Sequence, residues 1–209
     1  KLKFNDYFVQ EGLAFRFTPF NYRVWGDAEG DNGYAVDIEK LYDNVMNRYK
    51  YGGLDTPGLY LDETTLRTCY YHRRLFAQLA KELIKQGDHV RARKVLTYVE
   101  QAVPAYNVPE IYESGSFDIA TAYAALGEKT KAVTLFNHLI AESEDYINWA
   151  FSLGNGRTGM MQNDCLYKFW QWNAYNERMK EIDKESYEAS NRRFEEKYAL
   201  FTQIINNRN

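Results

Sequence analysis

Apolar residues recur along most of the chain with the three- and four-residue spacing of amphipathic helices. This pattern predicts a first helix from Asp37, its expected N-cap, to Tyr49, just before the glycines of YGG. A longer helix is predicted from Asp62, where the sequence DETT can cap its first turn, to Gly87, and residues 88–103 form its partner. The chain is therefore expected to be mainly helical.

An internal repeat with an offset of 40 residues links this helical hairpin to the segment after it. Aligning residues 79–96 with residues 119–136 superposes Gly87 on Gly127, at the turn of each hairpin. The same alignment matches three further pairs, namely Ala80 with Ala120, Ala92 with Ala132, and Leu96 with Phe136. Alanine lets two helices approach closely where they cross, and glycine reverses the chain. The pattern predicts helix–turn–helix repeats of the tetratricopeptide type, and two unrelated hairpins that match by chance are the alternative.

The predicted repeat domain covers residues 59–209. Its two units cover about residues 72–104 and 112–144, and the 40-residue offset exceeds the usual 34-residue unit by about six residues, which are placed in the connecting stretch PAYNVP, residues 104–109. Two such units rarely fold alone. The helices predicted over residues 162–181 and 186–206 are therefore expected to form a degenerate third pair that caps the stack.

Residues 1–58 differ from the rest and are expected to pack on the repeats as a lead-in. The sequence GLAFRFTPF alternates Leu13, Phe15 and Phe17 with other residues, and Pro19 ends it. This two-residue period is typical of a half-buried strand, and it is the only good strand that the pattern predicts. The following sequence WGDAEGDNG has the Gly, Asp and Asn content of a loop.

Composition narrows the functional classes. Apolar residues make up 45% and charged residues 26%, which is usual for a globular protein, although 16% are aromatic. A net charge of -3 with interspersed signs gives no reason to expect a nucleic-acid partner. No segment has the run of about 18 apolar residues that crosses a bilayer, so direct membrane insertion is not expected. The chain begins at Lys1 without an apolar leader, which is typical of a processed or cloned fragment.

Two short sequences resemble ligand-binding motifs without completing them. Residues 154–159, GNGRTG, match the spacing Gly-x-Gly-x-x-Gly, but no strand is predicted before them, so a flexible loop is favoured over a nucleotide site. Residues 27–33, DAEGDNG, have acids at alternate positions as in a calcium loop, but the required glycine and final glutamate are missing. A solvated loop is favoured there. Neither a cofactor nor a metal is expected.

The cysteines and histidines form no complete catalytic constellation. Cys69 and His72 lie three residues apart on one predicted helix and can share a face, but no third group marks a nucleophile. Two buried free thiols are favoured for Cys69 and Cys165, and a disulfide between them is the alternative. No catalytic residue is predicted.

Two surfaces are candidates for binding. The first is the polar face of the long helix with residues of the next unit, which would line the concave side where repeat proteins bind peptides or partner domains. Its residues are Arg74, Gln78, Lys81, Lys85, Phe117 and Thr121. The second is a set of tryptophans that could stack on sugar rings or on a partner, namely Trp149, Trp170 and Trp172. The commoner arrangements are a solvated helix face for the first set and core packing of at least two tryptophans for the second.

Several longer strings together resemble one protein family. They are YFVQEGLAFRFTPF, DIEKLYDNVMNRYKYGG, YLDETTLRTCYYHRRLFAQLAKELIKQG, VPAYNVP and NDC at residues 163–165, of which EGLAFR and DETTLR are the most specific. Over nearly the whole chain they resemble the soluble C-terminal part of bacterial multi-pass membrane proteins of unassigned function, related to protein O-mannosyltransferases. The resemblance implies a tail domain on the extracytoplasmic, periplasmic side of the inner membrane, following a lipid-linked-sugar transferase. The catalytic acid of such transferases belongs to the membrane portion, so no catalytic residue carries over.

The sequence thus favours a non-catalytic interaction domain that docks an acceptor protein, a partner subunit or its own membrane domain. A carbohydrate-binding or carbohydrate-hydrolysing helical domain that uses carboxylates and the tryptophans is the alternative. No cofactor is expected in either case.

Overall fold

The computed structural model describes residues 4–21, 28–29 and 34–206, and most of these residues are helical, as predicted. The α-helices are α1 Ile38–Asp43, α2 Glu63–Lys85, α3 His89–Ala102, α4 Ser116–Ala125, α5 Lys129–Ser152, α6 Asn155–Met160, α7 Gln162–Ile182 and α8 Lys184–Asn206. The strands are β1 Phe8–Gln10, β2 Phe15–Phe17, β3 Ala28–Glu29 and β4 Ala35–Val36. The chain divides into two compact units, a first unit Lys1–Leu126 and a second unit Gly127–Asn209.

The strands of the first unit form one sheet in the order β2-β1-β4-β3. β1 pairs antiparallel with β2 and parallel with β4, and β3 pairs antiparallel with β4. The sequence pattern predicted only β2, because the alternation around it extends from Leu13 to Phe17, whereas β1, β3 and β4 have two or three residues each and show no such period. The predicted half-burial of this strand is wrong, since Leu13, Phe15 and Phe17 are exposed. β2 is an edge strand whose rings lie against neighbours at the surface, with Phe17 6.2 Å from Tyr7 and 5.6 Å from Phe8 between ring centroids.

The first predicted helix consists of two parts. Asp37 caps α1, because its carboxylate accepts a hydrogen bond of 3.1 Å from the backbone N–H of Lys40. The chain then forms one π-helical turn, Asn44–Arg48, and leaves it at Tyr49 in an extended conformation. The pattern resembled one continuous helix because both parts bury their apolar residues, which are Ile38, Leu41 and Val45.

Helices α2 and α3 form the first predicted hairpin. Asp62 caps α2 by accepting hydrogen bonds of 2.9 and 3.1 Å from the backbone N–H groups of Thr64 and Thr65. α2 packs against both α3 and α4. Of the residues matched by the 40-residue offset, the turn glycines are exposed and the three apolar pairs are fully buried, namely Ala80, Ala92, Leu96, Ala120, Ala132 and Phe136.

The two predicted repeat units differ in their helices. α2 and α3 have 23 and 14 residues, whereas α4 and α5 have 10 and 24. In addition, α4 and α5 fall in different compact units. The second pair is therefore not a copy of the first, although the buried positions correspond.

In the second unit, α7 packs against both α5 and α8. Its buried Trp172 donates a hydrogen bond of 2.8 Å from Nε1 to Ser190 Oγ, and Ser190 in turn donates one of 2.6 Å to Asn176 Oδ1. These bonds satisfy polar groups that burial between helices would otherwise leave without partners. The two helices predicted for this region are confirmed, with ends shifted by at most two residues.

The glycine-rich motif at residues 154–159 is not a flexible loop, and that expectation is wrong. It lies mostly within the short helix α6, which directly follows α5. Buried Thr158 explains the helix, because its hydroxyl donates a hydrogen bond of 2.7 Å to the carbonyl of Ala150 on α5. A helix and not a strand precedes the motif, so the arrangement of a dinucleotide fingerprint is missing.

Candidate functional site

Four of the predicted binding residues recur along one face of α2 at three- and four-residue steps. They are Arg74, Gln78, Lys81 and Lys85. Arg74 and Lys85 are exposed, and the other two are half-buried. Gln78 Nε2 donates a hydrogen bond of 3.0 Å to Gln10 Oε1, so β1 contacts the middle of this face. Lys85 Nζ lies 2.7 Å from a carboxylate oxygen of the buried Glu82. The contact with β1 therefore covers Gln78, while Arg74 is exposed at one end of this face.

Arg74 lies where the start of α4 meets α2. Gly115, which precedes α4, approaches α2 so closely that an added Cβ would lie 2.7 Å from Arg74 Cγ and 3.1 Å from Arg74 Cα. The guanidinium lies over the ring of Tyr71, 4.2 Å from the centroid, and Tyr71 is 58% exposed. Phe117, two residues after Gly115, packs against Tyr112 with 5.7 Å between ring centroids. The structure thus brings Arg74 next to the segment that carries Phe117.

We refer to this surface as the α2–α4 face. Its residues are Tyr71, Arg74, Lys81, Tyr112, Phe117 and Thr121. Thr121 lies one turn after Phe117 on α4, and its hydroxyl donates a hydrogen bond of 2.9 Å to the Phe117 carbonyl. The face combines cationic side chains with aromatic rings, and this combination suits carboxylates and aromatic groups of a ligand.

Buried Arg73 supports this face from within, and the sequence analysis did not identify it. Only 2% of its surface is exposed. Its guanidinium donates hydrogen bonds to the carbonyls of Val103, Val108 and Pro109 at 2.8, 2.5 and 2.7 Å, and to Ser114 Oγ at 3.2 Å. Burial lowers the pKa of Arg73 to about 10, so it stays positively charged at neutral pH. All four acceptors lie in the connection between the end of α3 and the start of α4.

Two pockets adjoin each other in the first unit, and Lys50 and Tyr51 line both. The larger, of about 480 Å³, is the polar pocket, and its other lining residues include Asn47, Tyr49, Asp55, Tyr98 and Gln101. The smaller, of about 260 Å³, is the apolar pocket, and its other lining residues include Leu54, Leu59, Leu61, Cys69 and His72. The polar pocket falls in the range of roughly 300–1,000 Å³ that is usual for small-molecule sites.

Hydrogen bonds hold the tyrosines between the pockets in place. Tyr51 donates one of 2.7 Å from its hydroxyl to the Val45 carbonyl, and the Tyr49 hydroxyl accepts one of 3.0 Å from the backbone N–H of Leu13. The ring of Tyr98 lies 6.1 Å from that of Tyr51 between centroids. Burial raises the pKa of Tyr51, so its phenol is neutral at physiological pH. Tyr49 and Tyr51 are therefore held in place, and the Tyr51 ring is uncharged.

Cys69 and His72 both line the apolar pocket, but they do not form an activated nucleophile. Burial raises the pKa of the Cys69 thiol and outweighs the opposite effect of the nearby Arg73 charge. Burial also lowers the pKa of His72. A protonated thiol beside a neutral imidazole lacks the thiolate that nucleophilic cysteines need. Cys69 and Cys165 are both buried free thiols, as predicted.

The burial of His72 makes the stability of the first unit depend on pH. Burial lowers the pKa of His72 in the folded state, so the folded state favours the neutral ring. The resulting stabilisation is complete above the unfolded pKa of about 6.5, and it decreases as the pH falls below that value. We expect the urea midpoint to drop less between about pH 7 and pH 5 in His72→Gln than in the unchanged chain. His89→Gln, at an exposed histidine, should behave like the unchanged chain. Equal pH dependence in all three would contradict this assignment.

The three tryptophans of the second candidate surface differ in burial. Trp149 and Trp170 are each 51% exposed, whereas Trp172 is fully buried. The expectation that at least two would pack in the core is wrong, and Trp172 cannot stack on a ligand. α7 packs on two sides, and two residues correspond to a rotation of about 200° around a helix, so Trp170 points away from the side that buries Trp172.

The calcium-like sequence at residues 27–33 lies outside the described residues, apart from the backbone of residues 28–29. Among residues 4–21, 28–29 and 34–206, no group of three or more His, Cys, Asp or Glu side chains is arranged to hold a metal ion. Within the same part of the chain, no helix combines the length and the apolar character needed to span a membrane.

Comparison of the chain with protein-family models, with curated proteins and with solved structures gives no match.

Proposed function

We propose that this chain is a non-catalytic interaction domain of the tetratricopeptide-like type that binds a segment of a partner protein on the α2–α4 face. The observation that carries this proposal is the close approach of Gly115 to Arg74. It joins the Arg74–Tyr71 pair to the aromatic pair of Tyr112 and Phe117 in one surface. The packing of α2 against α3 and α4, and the buried alanines at matching positions, support the repeat-like arrangement.

The chemistry of the α2–α4 face favours a segment that carries carboxylates and aromatic side chains. Arginine binds carboxylates through two parallel hydrogen bonds, and its planar group also stacks on rings. Lys81 adds a second cation two turns further along α2. An acidic segment with aromatic residues therefore complements the face in charge and in aromatic character.

The family resemblance suggests where such a partner is found. We propose that the chain is the extracytoplasmic, periplasmic tail of a bacterial membrane protein related to glycosyltransferases. The partner is then an acceptor protein, a partner subunit or the membrane domain of the same protein. The strings EGLAFR and DETTLR support this context.

Peptide binding tests the α2–α4 face directly. We expect fluorescently labelled peptides rich in Glu and Tyr to bind more tightly than matched peptides in which Lys replaces Glu, as measured by fluorescence anisotropy. The double variant Arg74→Glu with Lys81→Glu should weaken binding about tenfold or more, which corresponds to about 1.4 kcal/mol. Lys94→Glu, at an exposed lysine on α3, serves as the control and should leave binding unchanged. If the double variant and the control bind alike, the α2–α4 face is not the site.

One observation favours the alternative, carbohydrate binding by the second unit. Each exposed tryptophan is paired with a tyrosine ring, Trp149 with Tyr146 at 5.4 Å and Trp170 with Tyr167 at 5.7 Å between centroids. Rings exposed in this way can stack on sugars. Quenching of tryptophan fluorescence by oligosaccharides, if it saturates and is lost in Trp170→Ala, would support this alternative over peptide binding.

A further inference from the structure

The polar pocket has a floor and a rim of different chemistry. Its floor consists of half-buried aromatic rings, those of Tyr49, Tyr51 and Tyr98. Its rim consists of exposed polar side chains, those of Asn47, Lys50, Asp55 and Gln101. A ligand in this pocket therefore meets aromatic carbon below and hydrogen-bonding groups at the edge.

Several of these polar groups are available to a ligand. The side chains of Lys50, Asp55 and Gln101 make no hydrogen bond or ion pair with another described residue, and neither does the hydroxyl of Tyr98. Together they offer an ammonium group, a carboxylate, an amide and a phenol, so both donors and acceptors are present. The floor, in contrast, is held in place by the hydrogen bonds of Tyr49 and Tyr51.

The charges of the pocket do not favour an ionic ligand. Lys50 and Asp55 carry opposite charges, so they add no net charge to the rim. Both are exposed, and solvent weakens the interactions of exposed charges. The half-buried tyrosines contribute aromatic rings and hydroxyl groups. A neutral ligand with many hydroxyl groups and one apolar face thus fits the pocket better than an anion, a cation or a hydrocarbon.

We propose that the polar pocket binds a small polyhydroxylated ligand, a mono- or disaccharide, whose apolar ring face lies on the tyrosines while its hydroxyls bond to Tyr98 and Gln101. This site is separate from the α2–α4 face and from the exposed tryptophans of the second unit. The proposal therefore does not depend on the peptide-binding function.

Saturation-transfer NMR with a panel of neutral mono- and disaccharides, choline and glycine tests the polar pocket on the whole chain. We expect one or more of the sugars to bind, and Gln101→Ala and Tyr98→Phe each to weaken that binding about fivefold, the effect of losing one hydrogen bond of about 1 kcal/mol. Both changes keep the backbone and the aromatic floor. Gln86→Ala, at an exposed glutamine after α2, is the matched control and should change nothing.

Three results would overturn the proposal. The first is that no sugar of the panel binds. The second is that choline or glycine binds in preference to the sugars, which would indicate an ion-binding pocket. The third is that sugar binding persists in Gln101→Ala and Tyr98→Phe but is lost in Trp170→Ala, which would place the sugar on the second unit. Peptide binding to the α2–α4 face is measured separately, so failure of one proposal leaves the other unchanged.

Discussion

Replacing Arg73 with methionine should destabilise the first unit by about 3–5 kcal/mol. Methionine is of similar length but donates no hydrogen bond, so the buried carbonyls that Arg73 satisfies lose their partner. Each buried polar group left without a partner costs about 1–3 kcal/mol. Urea unfolding followed by circular dichroism measures the loss, and hydrogen exchange locates it to residues 1–126.

Two further variants make the test of Arg73 specific. Arg67→Met, at a position where the side chain is 71% exposed, removes an arginine from the same helix and should change stability by about 0.5 kcal/mol or less. Arg73→Lys keeps the charge but cannot reach all the acceptors, so an intermediate loss is expected. If Arg73→Met costs no more than Arg67→Met, the guanidinium does not hold the connecting stretch.

Gly115→Ala should destabilise the first unit by about 2–5 kcal/mol. Two effects add at this position. Its φ of 82° is unfavourable for any residue with a Cβ, and the new methyl group would lie 3.1 Å from the backbone of Arg74. The same change pushes α4 away from α2, so it should also weaken binding of the Glu- and Tyr-rich peptides.

Gly87→Ala separates the two effects. Gly87 has a nearly identical φ of 79°, but no atom lies within 4 Å of the position of an added Cβ. Only the conformational cost of about 1–2 kcal/mol applies there. The excess loss in Gly115→Ala, again measured by urea unfolding, reports the close approach of α4 to α2. Equal losses in the two variants would show that the contact at Gly115 is unimportant.

Local signals explain what the sequence could predict. Asp37 and Asp62 cap helices with side chains that bond within three residues, so their role is visible in a short stretch of sequence. The alanines at the matched positions are buried because small residues let neighbouring helices pack closely, and their 40-residue spacing is visible in the sequence. Both kinds of signal depend on spacing alone.

Contacts between distant parts of the chain explain what the sequence could not predict. Arg73 bonds to acceptors 30 to 41 residues away, and nothing in the neighbouring pair of arginines shows that one is buried and the other exposed. The polar pocket joins Tyr49 and Tyr51, which follow the π-helical turn, to Tyr98 on α3. Trp172 is buried and Trp170 is exposed. Because α7 packs on two sides, its apolar residues do not form the single stripe from which a buried helix face can be predicted.

The bonding of Arg73 also limits how the connection between α3 and α4 can change its length. Deleting residues 104–109 would remove the carbonyls of Val108 and Pro109, to which the guanidinium donates hydrogen bonds. The buried positive charge would then lack hydrogen-bond acceptors that compensate its removal from water. The long connection and the arginine must therefore be gained or lost together, so a shorter version of this domain requires an apolar residue at position 73.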